Sequence, residues 1–487
     1  MGERGCSVSR PLLRLIACVV FLGCGPPSGE PPSGGAAPTY HRDVRPLLDK
    51  HCNGCHNPRG AAGLVLDGSA ALTPLILAKV DAGLMPPWPP GPLSPPLVGD
   101  LSLRPAELDL LRSWATAGSP QGNPADYHPK GAPERPPPSM ILRMPAPFQP
   151  ARGMPDQYRC FVLPGLAGGW ITAVEWLLGN PSAAHHVGGI VVDAAGLAQF
   201  RAHGLAGPGG FDCPGDFGPV AAIAGLSSTG TGPAPGFEFP ADAGIAAPPG
   251  GAIVMQLHYL PDAVPAAGDV SGVALWLDGG PRKPVVEFQF TAPVEVPCGT
   301  GVSSDPSNRC SRQWAFDRDG LRAPAQAQSD SDLALSRCGQ TLGGYYQRLP
   351  WQDELEPSFR VPTECVSSFP VSGSLLGVHV HMHTRGVSGR IEVQRADGSW
   401  QIALDIPRWR WPWEAAYLLR DPIPVRAGQA VRVSCVIDNG AAMQWGAGGP
   451  GHDAPTVPPL DLPSYHVGGS ARDTEMCAAF LQIRKDN

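Results

Sequence analysis

The chain has 487 residues, with 36 Lys and Arg against 43 Asp and Glu, a formal net charge of −7 and 16% of its residues charged. That length exceeds one ordinary core and predicts about three domains, and sparse charge without a long basic run argues against a nucleic-acid partner. The 61 Gly and 59 Pro point to loop-rich β domains joined by Pro-rich linkers.

The first feature in chain order is an export signal over residues 1–24. Arg4, Arg10 and Arg14 lead into "LIACVVFLGC", apolar for the length of an h-region and too short to span a bilayer. "FLGC" resembles a bacterial lipoprotein cleavage box, which would acylate Cys24. Leu22 is bulkier than the small residue usual there, so ordinary signal cleavage stands as the alternative. "GPPSGEPPSGGAAP", residues 25–38, reads as a flexible tether. The 13 cysteines of an exported chain predict disulfides. Once Cys6, Cys18, Cys24 and the pair Cys52/Cys55 are set aside, Cys160, Cys213, Cys298, Cys310, Cys338, Cys365, Cys435 and Cys477 remain. Their even number suits four bridges, and sequence alone does not fix the pairing.

Residues 51–56, "HCNGCH", contain C-x-x-C-H. Two thiols at this spacing add across the vinyl groups of a haem, and the following His56 sits under its iron. A zinc half-site would want a second Cys/His pair nearby, and none follows. "YHRDVRPLLDKHC" reads as an amphipathic helix leading into the motif. "RPAELDLLRSWATAG" reads as a second helix, with Pro105 near its start, Leu108, Leu111, Trp114 and Ala115 on one face, and Gly118 at its stop. Between them lies "GLMPPWPP". Met85 in this Pro-stiffened loop is a candidate distal ligand, and His56 with Met85 would raise the iron's potential toward electron transfer; the other reading of Met85 is packing. Residues 39–120 resemble the small c-type cytochrome domains that end in "MPPW" and a Trp-containing last helix. Polar, Pro-rich residues 121–152 are expected to be a linker, long enough for the haem segment to dock on the copper-binding half described next and leave again.

From about residue 150 the chain breaks into short apolar runs punctuated by Gly and Pro, such as "GGIVVD", "GAIVMQLHYL" and "VVEFQF", the pattern of antiparallel sandwiches. Histidines stand at three places in these runs: His185 and His186 in "AAHHVGGIVVD", His258 in "IVMQLHYLP", and His379, His381 and His383 in "GVHVHMHTRG". On a strand, the last three would point to one face. Met476 precedes Cys477 near the C-terminus.

An adjacent His pair, a Gln-x-His-Tyr, a His-x-His and a late Met-Cys occur in this order at 185–186, 256–259, 381–383 and 476–477. The set resembles the copper type II, ascorbate-dependent monooxygenases, the family of peptidylglycine α-hydroxylating monooxygenase and dopamine β-monooxygenase. "WRWPWEAAYLLRDPIPVRAGQAVRVSCVIDNG" is similar to the Trp-then-Asp-Asn segment of bacterial members. The resemblance covers roughly residues 150–487. It implies one copper in each of two sandwiches: His185, His186 and His258 would hold an electron-transfer copper, and His381, His383 and Met476 the catalytic copper. It also implies a Cys435–Cys477 bridge. Imidazole suits both copper oxidation states, and a thioether favours Cu(I). His185 and His186 are neighbours on a strand, so both reach one metal only where the backbone twists or bulges. An alternative register pairs His379 with His381. Gln256 is present, but the carboxylate anchor of the peptide-amidating member is missing, its positions being held by His379, Ala478 and Phe480.

The expected fold is multidomain: a small all-α cytochrome c domain at 39–120, then two all-β antiparallel, jelly-roll-like sandwiches at 153–288 and 289–487, the second with an insertion at 298–365. The expected cofactors are two copper ions and one covalent haem c. The expected partners are a small organic substrate, O₂, and ascorbate or a periplasmic electron donor, with membrane contact only through a lipid at Cys24. The expected place is the periplasm or outer membrane of a Gram-negative bacterium, and the expected activity is hydroxylation of a C–H bond. The alternative is a copper and haem electron-transfer or copper-binding protein without hydroxylase activity.

Overall fold

The structure is a computed structural model that describes residues 37–58, 62, 64–129, 135–151, 157–181, 183–213, 217, 222, 224–230, 236–259, 267–296, 310–319, 338, 360–438, 466–467 and 474–486. The signal, Cys24, the tether up to residue 36, Cys298 and most of the 298–365 insertion lie outside these residues.

Strand periodicity builds most of what is described. Ala430–Asp438 alternates half-buried and buried residues along its whole length, and Arg360–Ser368 alternates exposed and buried, so each turns one face to a core. These two strands form a four-stranded sheet with Gly386–Gln394 and Trp400–Ile406. A five-stranded sheet runs Phe211–Asp212, Gln157–Pro164, Ala252–Tyr259, Ala184–Val192, Ala224–Gly230. Its central strand Ala252–Tyr259 is buried at every residue. Ile253, Met255 and Leu257 enter the N-terminal core, while Val254 packs with Leu197 and Phe200 of the helix Ala194–Ala202 on the other face. The alternation therefore puts Gln256 and His258 on the face turned away from the N-terminal core.

A nine-stranded sheet passes through both halves of the chain. Its path is Met140–Arg143, Gly272–Asp278, Trp170–Leu177, Ala243–Ala246, Lys283–Thr291, Ala478–Lys485, Gly373–His381 and Tyr417–Val425, with Gly236–Glu238 paired onto Trp170–Leu177. Lys283–Thr291 joins the halves, meeting Ala243–Ala246 in parallel and Ala478–Lys485 antiparallel. One core lies on the N-terminal stretch of this sheet, around Phe161, Trp176 and Leu257. A second lies on the C-terminal stretch, around Val378, Val433 and Leu481.

One irregularity in Gly373–His381 decides where its histidines point. Its pairing slips between Leu375 and Gly377 against both neighbouring strands. The residue passed over, Leu376, packs with the N-terminal core, whereas Leu375, Val378, Val380 and Met382 all enter the C-terminal core. This bulge reverses the alternation, so His379 and His381 face away from the C-terminal core.

The expected fold class is corrected. The chain is mostly β-sheet, and residues 39–120 do not form a free-standing all-α cytochrome domain. Their helical pieces are short, at Tyr40–Val44, Arg45–His51, Thr73–Asp81 and Pro105–Thr116. They share a small core of Tyr40, Val44, Leu47, Leu48, Leu66, Leu111 and Trp114. The segment that follows the second of the two predicted "MPPW" prolines is sewn onto the C-terminal half. Trp88 meets Tyr417 edge-on at 5.3 Å. Gly91 donates to the Asp405 carbonyl at 2.8 Å, Val98 to Leu418 at 2.9 Å, and Arg420 to Pro96 at 2.9 Å. The two β halves each have their own core but are joined, because the nine-stranded sheet is common to both.

Cys160–Cys213, Cys338–Cys365 and Cys435–Cys477 are disulfides, and Cys310 is disulfide-bonded as well. Such bridges belong to an oxidising, exported environment. Among the described residues, no helix is long and apolar enough to cross a membrane.

Candidate metal centre

The outward faces of the two halves bring their histidines into one buried cluster. His186 and His258, cross-strand neighbours on Ala184–Val192 and Ala252–Tyr259, have ring centroids 4.9 Å apart. His186 lies 6.3 Å from His381 of the other half, and His381 lies 5.1 Å from His383. His186, His258, His379, His381 and His383 are each at most 8% exposed. The expected backbone irregularity at the adjacent pair is present, since pairing with Ala252–Tyr259 slips between Ala184 and His186. The side chain of His185 lies outside the described residues.

Each group of imidazoles is held differently. His258 stacks on Tyr158, with centroids 3.9 Å apart and planes at 17°, and Trp411 of the other half meets it edge-on at 5.8 Å. His379 stacks on Phe480 at 5.2 Å. His383 stands just beyond the end of its strand, not on it. Its Nδ1 pairs with the Thr474 carbonyl at 2.9 Å, so Nδ1 carries the proton and the lone pair falls on Nε2. That Nε2 is buried and has no hydrogen-bond partner among the described residues, as is Nδ1 of His379. The Glu475 carboxylate accepts from the amides of His383 and Arg385 at 3.0 and 2.6 Å, which fixes the turn after the strand. Trp409 donates its indole N–H to the His383 carbonyl at 2.9 Å, and a Cβ on Gly386 would come within 2.6 Å of the Trp409 ring. Only glycine admits that approach.

Sequence reasoning missed the residue at the middle of the cluster, Glu414. It follows the short helical turn Trp411–Trp413. Its Oε1 accepts from His381 Nδ1 at 2.6 Å and His379 Nε2 at 2.9 Å, and its Oε2 is 3.9 Å from His186 Nδ1. Its signal is in "WPWEAAY": an acid amid aromatic and small apolar residues is seldom buried without partners. His379, His381 and Glu414 offer three ligand atoms all within 4.8 Å of one another.

Burial and this carboxylate divide the titration of the imidazoles. Burial pushes His186 down to about 3, against the opposing pull of Glu414. Burial, reinforced by His381, pushes His383 down to about 3 as well. Burial also acts to lower His381, but the charge and hydrogen bond of Glu414 outweigh it and raise that ring. Burial would raise Glu414, yet the imidazoles hold it well below the ordinary carboxylate range. Glu475 is raised to about 7 by burial in spite of its two amide donors.

The other expected residues lie apart from or beside this cluster. Met476 is half-buried between Glu475 and the disulfide-bonded Cys477, on the loop whose Thr474 carbonyl holds His383. Gln256 donates to the Cys213 carbonyl at 2.9 Å, tied to the Cys160–Cys213 bridge. Cys52 and Cys55 are free thiols, the only cysteines among the described residues outside disulfides. Burial, with a contribution from Cys55, raises Cys52 to about 12, and burial also raises Cys55. His56 Nδ1 pairs with the Leu64 carbonyl at 3.1 Å, directing Nε2 away as a ligand nitrogen. Burial lowers its pKa. The Met85 amide donates to the Lys79 carbonyl at the end of Thr73–Asp81, and the Met85 side chain is half-buried.

No family model and no curated protein matches the chain. Among solved structures, it is similar to the major capsid protein P2 of bacteriophage PM2 at 8% identity, covering 64% of this chain and 99% of that one with a TM-score of 0.22. A Paenibacillus xanthan lyase gives 10% identity, coverage of 77% and 29%, and a TM-score of 0.17. A Bacillus subtilis oxalate decarboxylase gives 8%, 68% and 70%, and 0.13. Likenesses this slight transfer neither fold nor chemistry.

Proposed function

We propose that the protein is an exported copper-dependent monooxygenase that hydroxylates a C–H bond of a small organic substrate. The observation that carries this reading is the convergence of His186, His258, His381 and His383, from three sequence-distant motifs, into one buried cluster. The donors suit copper: the imidazoles are desolvated and neutral at His186 and His383, and Nε2 of His383 is held ready by the Thr474 carbonyl. The family resemblance adds His185 and Met476 to the donor set.

Bound copper would supply the one-electron chemistry by which substrate C–H, O₂, two electrons and two protons become C–OH and water. The chain's own part is positioning. Tyr158 and Trp411 fix the plane of His258, Thr474 and Glu475 fix His383, and the Cys435–Cys477 bridge clamps the loop bearing Met476. Phe480 fills the position of the missing substrate anchor and packs on His379. This favours an uncharged or aromatic substrate over a carboxylate. Free thiols at Cys52 and Cys55 with His56 anchored through Nδ1 fit covalent haem, which would serve as electron donor alongside or in place of ascorbate. Export through the N-terminal signal to the periplasm, with or without a lipid on Cys24, belongs to the same proposal.

The test is metal analysis and a visible spectrum of the purified chain, followed by oxygen uptake with candidate substrates. Two coppers, one haem and oxygen uptake matched by hydroxylated product are expected. Copper and haem without product would favour the electron-transfer reading, and zinc without copper would sink both.

A further inference from the structure

Two copper ions would bring four positive charges into a site lined by imidazoles, which are neutral donors when they ligate. A buried cation without a nearby anion is costly. Two carboxylates are buried here. Glu475 is committed to main-chain amides on the far side of His383. Glu414 instead turns both oxygens toward imidazoles of the two halves, Oε1 to His379 and His381 and Oε2 toward His186. Donors about 2 Å from a common ion lie roughly 3 Å from one another, and the N···O separations at Oε1 are 2.6 and 2.9 Å. The spacing that a proton bridges here is also the spacing around an ion.

We propose that Glu414 is a bridging copper ligand, its Oε1 on the ion bound by His381 and its Oε2 on the ion bound by His186 and His258. The protein would thus hold one carboxylate-linked copper pair, where the family resemblance implies two independent coppers. The proposal rests on the reading that the cluster binds copper and is independent of hydroxylation. Its placement follows from the fold: the bulge at Leu376 and the slip at His185 turn both sets of histidines outward from their cores, and the turn Trp411–Trp413 delivers Glu414 between them.

The experiment is spin quantification by electron paramagnetic resonance on the full-length chain, stripped of metal and reloaded with Cu(II), with bound copper measured in parallel. A linked pair gives two coppers per chain with most of the isolated-ion signal missing or broadened and a half-field transition. Glu414→Gln keeps the side-chain volume and removes the charge. It should abolish the half-field transition and return the remaining copper to full, unbroadened intensity. If that variant does not fold, Glu414→Asp, which keeps the charge and shortens the reach, is read for the same loss of the half-field transition. Two coppers each giving a full, unbroadened spin, with no half-field transition, overturn the bridge and leave the copper reading standing. One copper per chain overturns the bridge alone, and none overturns the copper reading as well.

Discussion

His258 and His383 are buried imidazoles of the same cluster, held by opposite means. His258 lies face to face on Tyr158 with Trp411 at its edge, while His383 is held by the Thr474 carbonyl and has its amide on Glu475. Stacking fixes the plane of a ring and leaves its proton to other contacts; a carbonyl acceptor fixes the proton and so the nitrogen that can bind a metal. His383 is therefore set by hydrogen bonds, and His258 is set in plane by shape. That difference predicts unequal responses to substitution.

The largest response is expected from Met476→Ile, which keeps the volume and removes the thioether. Outer partners of metal ligands cost about 10–100-fold when removed, and a ligand costs more. Product formation should fall by at least that factor while copper at His186 and His258 is retained, as read by turnover alongside metal content. Unchanged turnover would make Met476 a packing residue. Next is Glu414→Ala. It strips the acceptor from His379 and His381 and leaves buried imidazoles without their carboxylate, a class of change that costs about 3–5 kcal/mol. Urea unfolding would measure this, and a loss below about 1 kcal/mol would show that Glu414 is poorly coupled to the rings. The smallest is Tyr158→Leu. Loss of the stacked pair should cost about 0.5–1.5 kcal/mol beyond buried area and weaken copper at His258 while sparing the His381 side, as read by copper titration. Equal weakening on both sides would mean that the sets are not separately supported.

Much of the strand content was legible because alternation is local. Ala430–Asp438 and Arg360–Ser368 carry their faces in their own residues. The irregularity at His185 was legible too, because two adjacent histidines can serve one metal only across a break in alternation. Helical faces were also readable, and Leu111 and Trp114 are buried as their spacing predicts. What those helices belong to was not. Short helices around a seven-residue core do not announce that the next segment will hydrogen-bond along Tyr417–Val425, because that partner lies over 300 residues away in sequence. The seam lies on the C-terminal half, at Asp405, Leu418 and Arg420. Glu414 escaped for a related reason: its importance comes from His186, His379 and His381, which only the tertiary fold places around it.

The bulge at Leu376 makes the centre sensitive to counting. Leu375 and Val378 enter the same core although three positions separate them, and the bulge absorbs that odd interval, which keeps His379 and His381 on the outside. Deleting Leu376 would restore an even interval and leave both histidines on their present face, with the loss confined to the packing of one leucine in the N-terminal core. Inserting one residue between Gly377 and Val378, without any side chain being altered, would move His379 and His381 to the core side of the sheet and Val378 and Val380 to the metal side. Deletion should therefore be tolerated and insertion should not, as read by the copper content of the two variants, an asymmetry in length that no substitution at this strand would reveal.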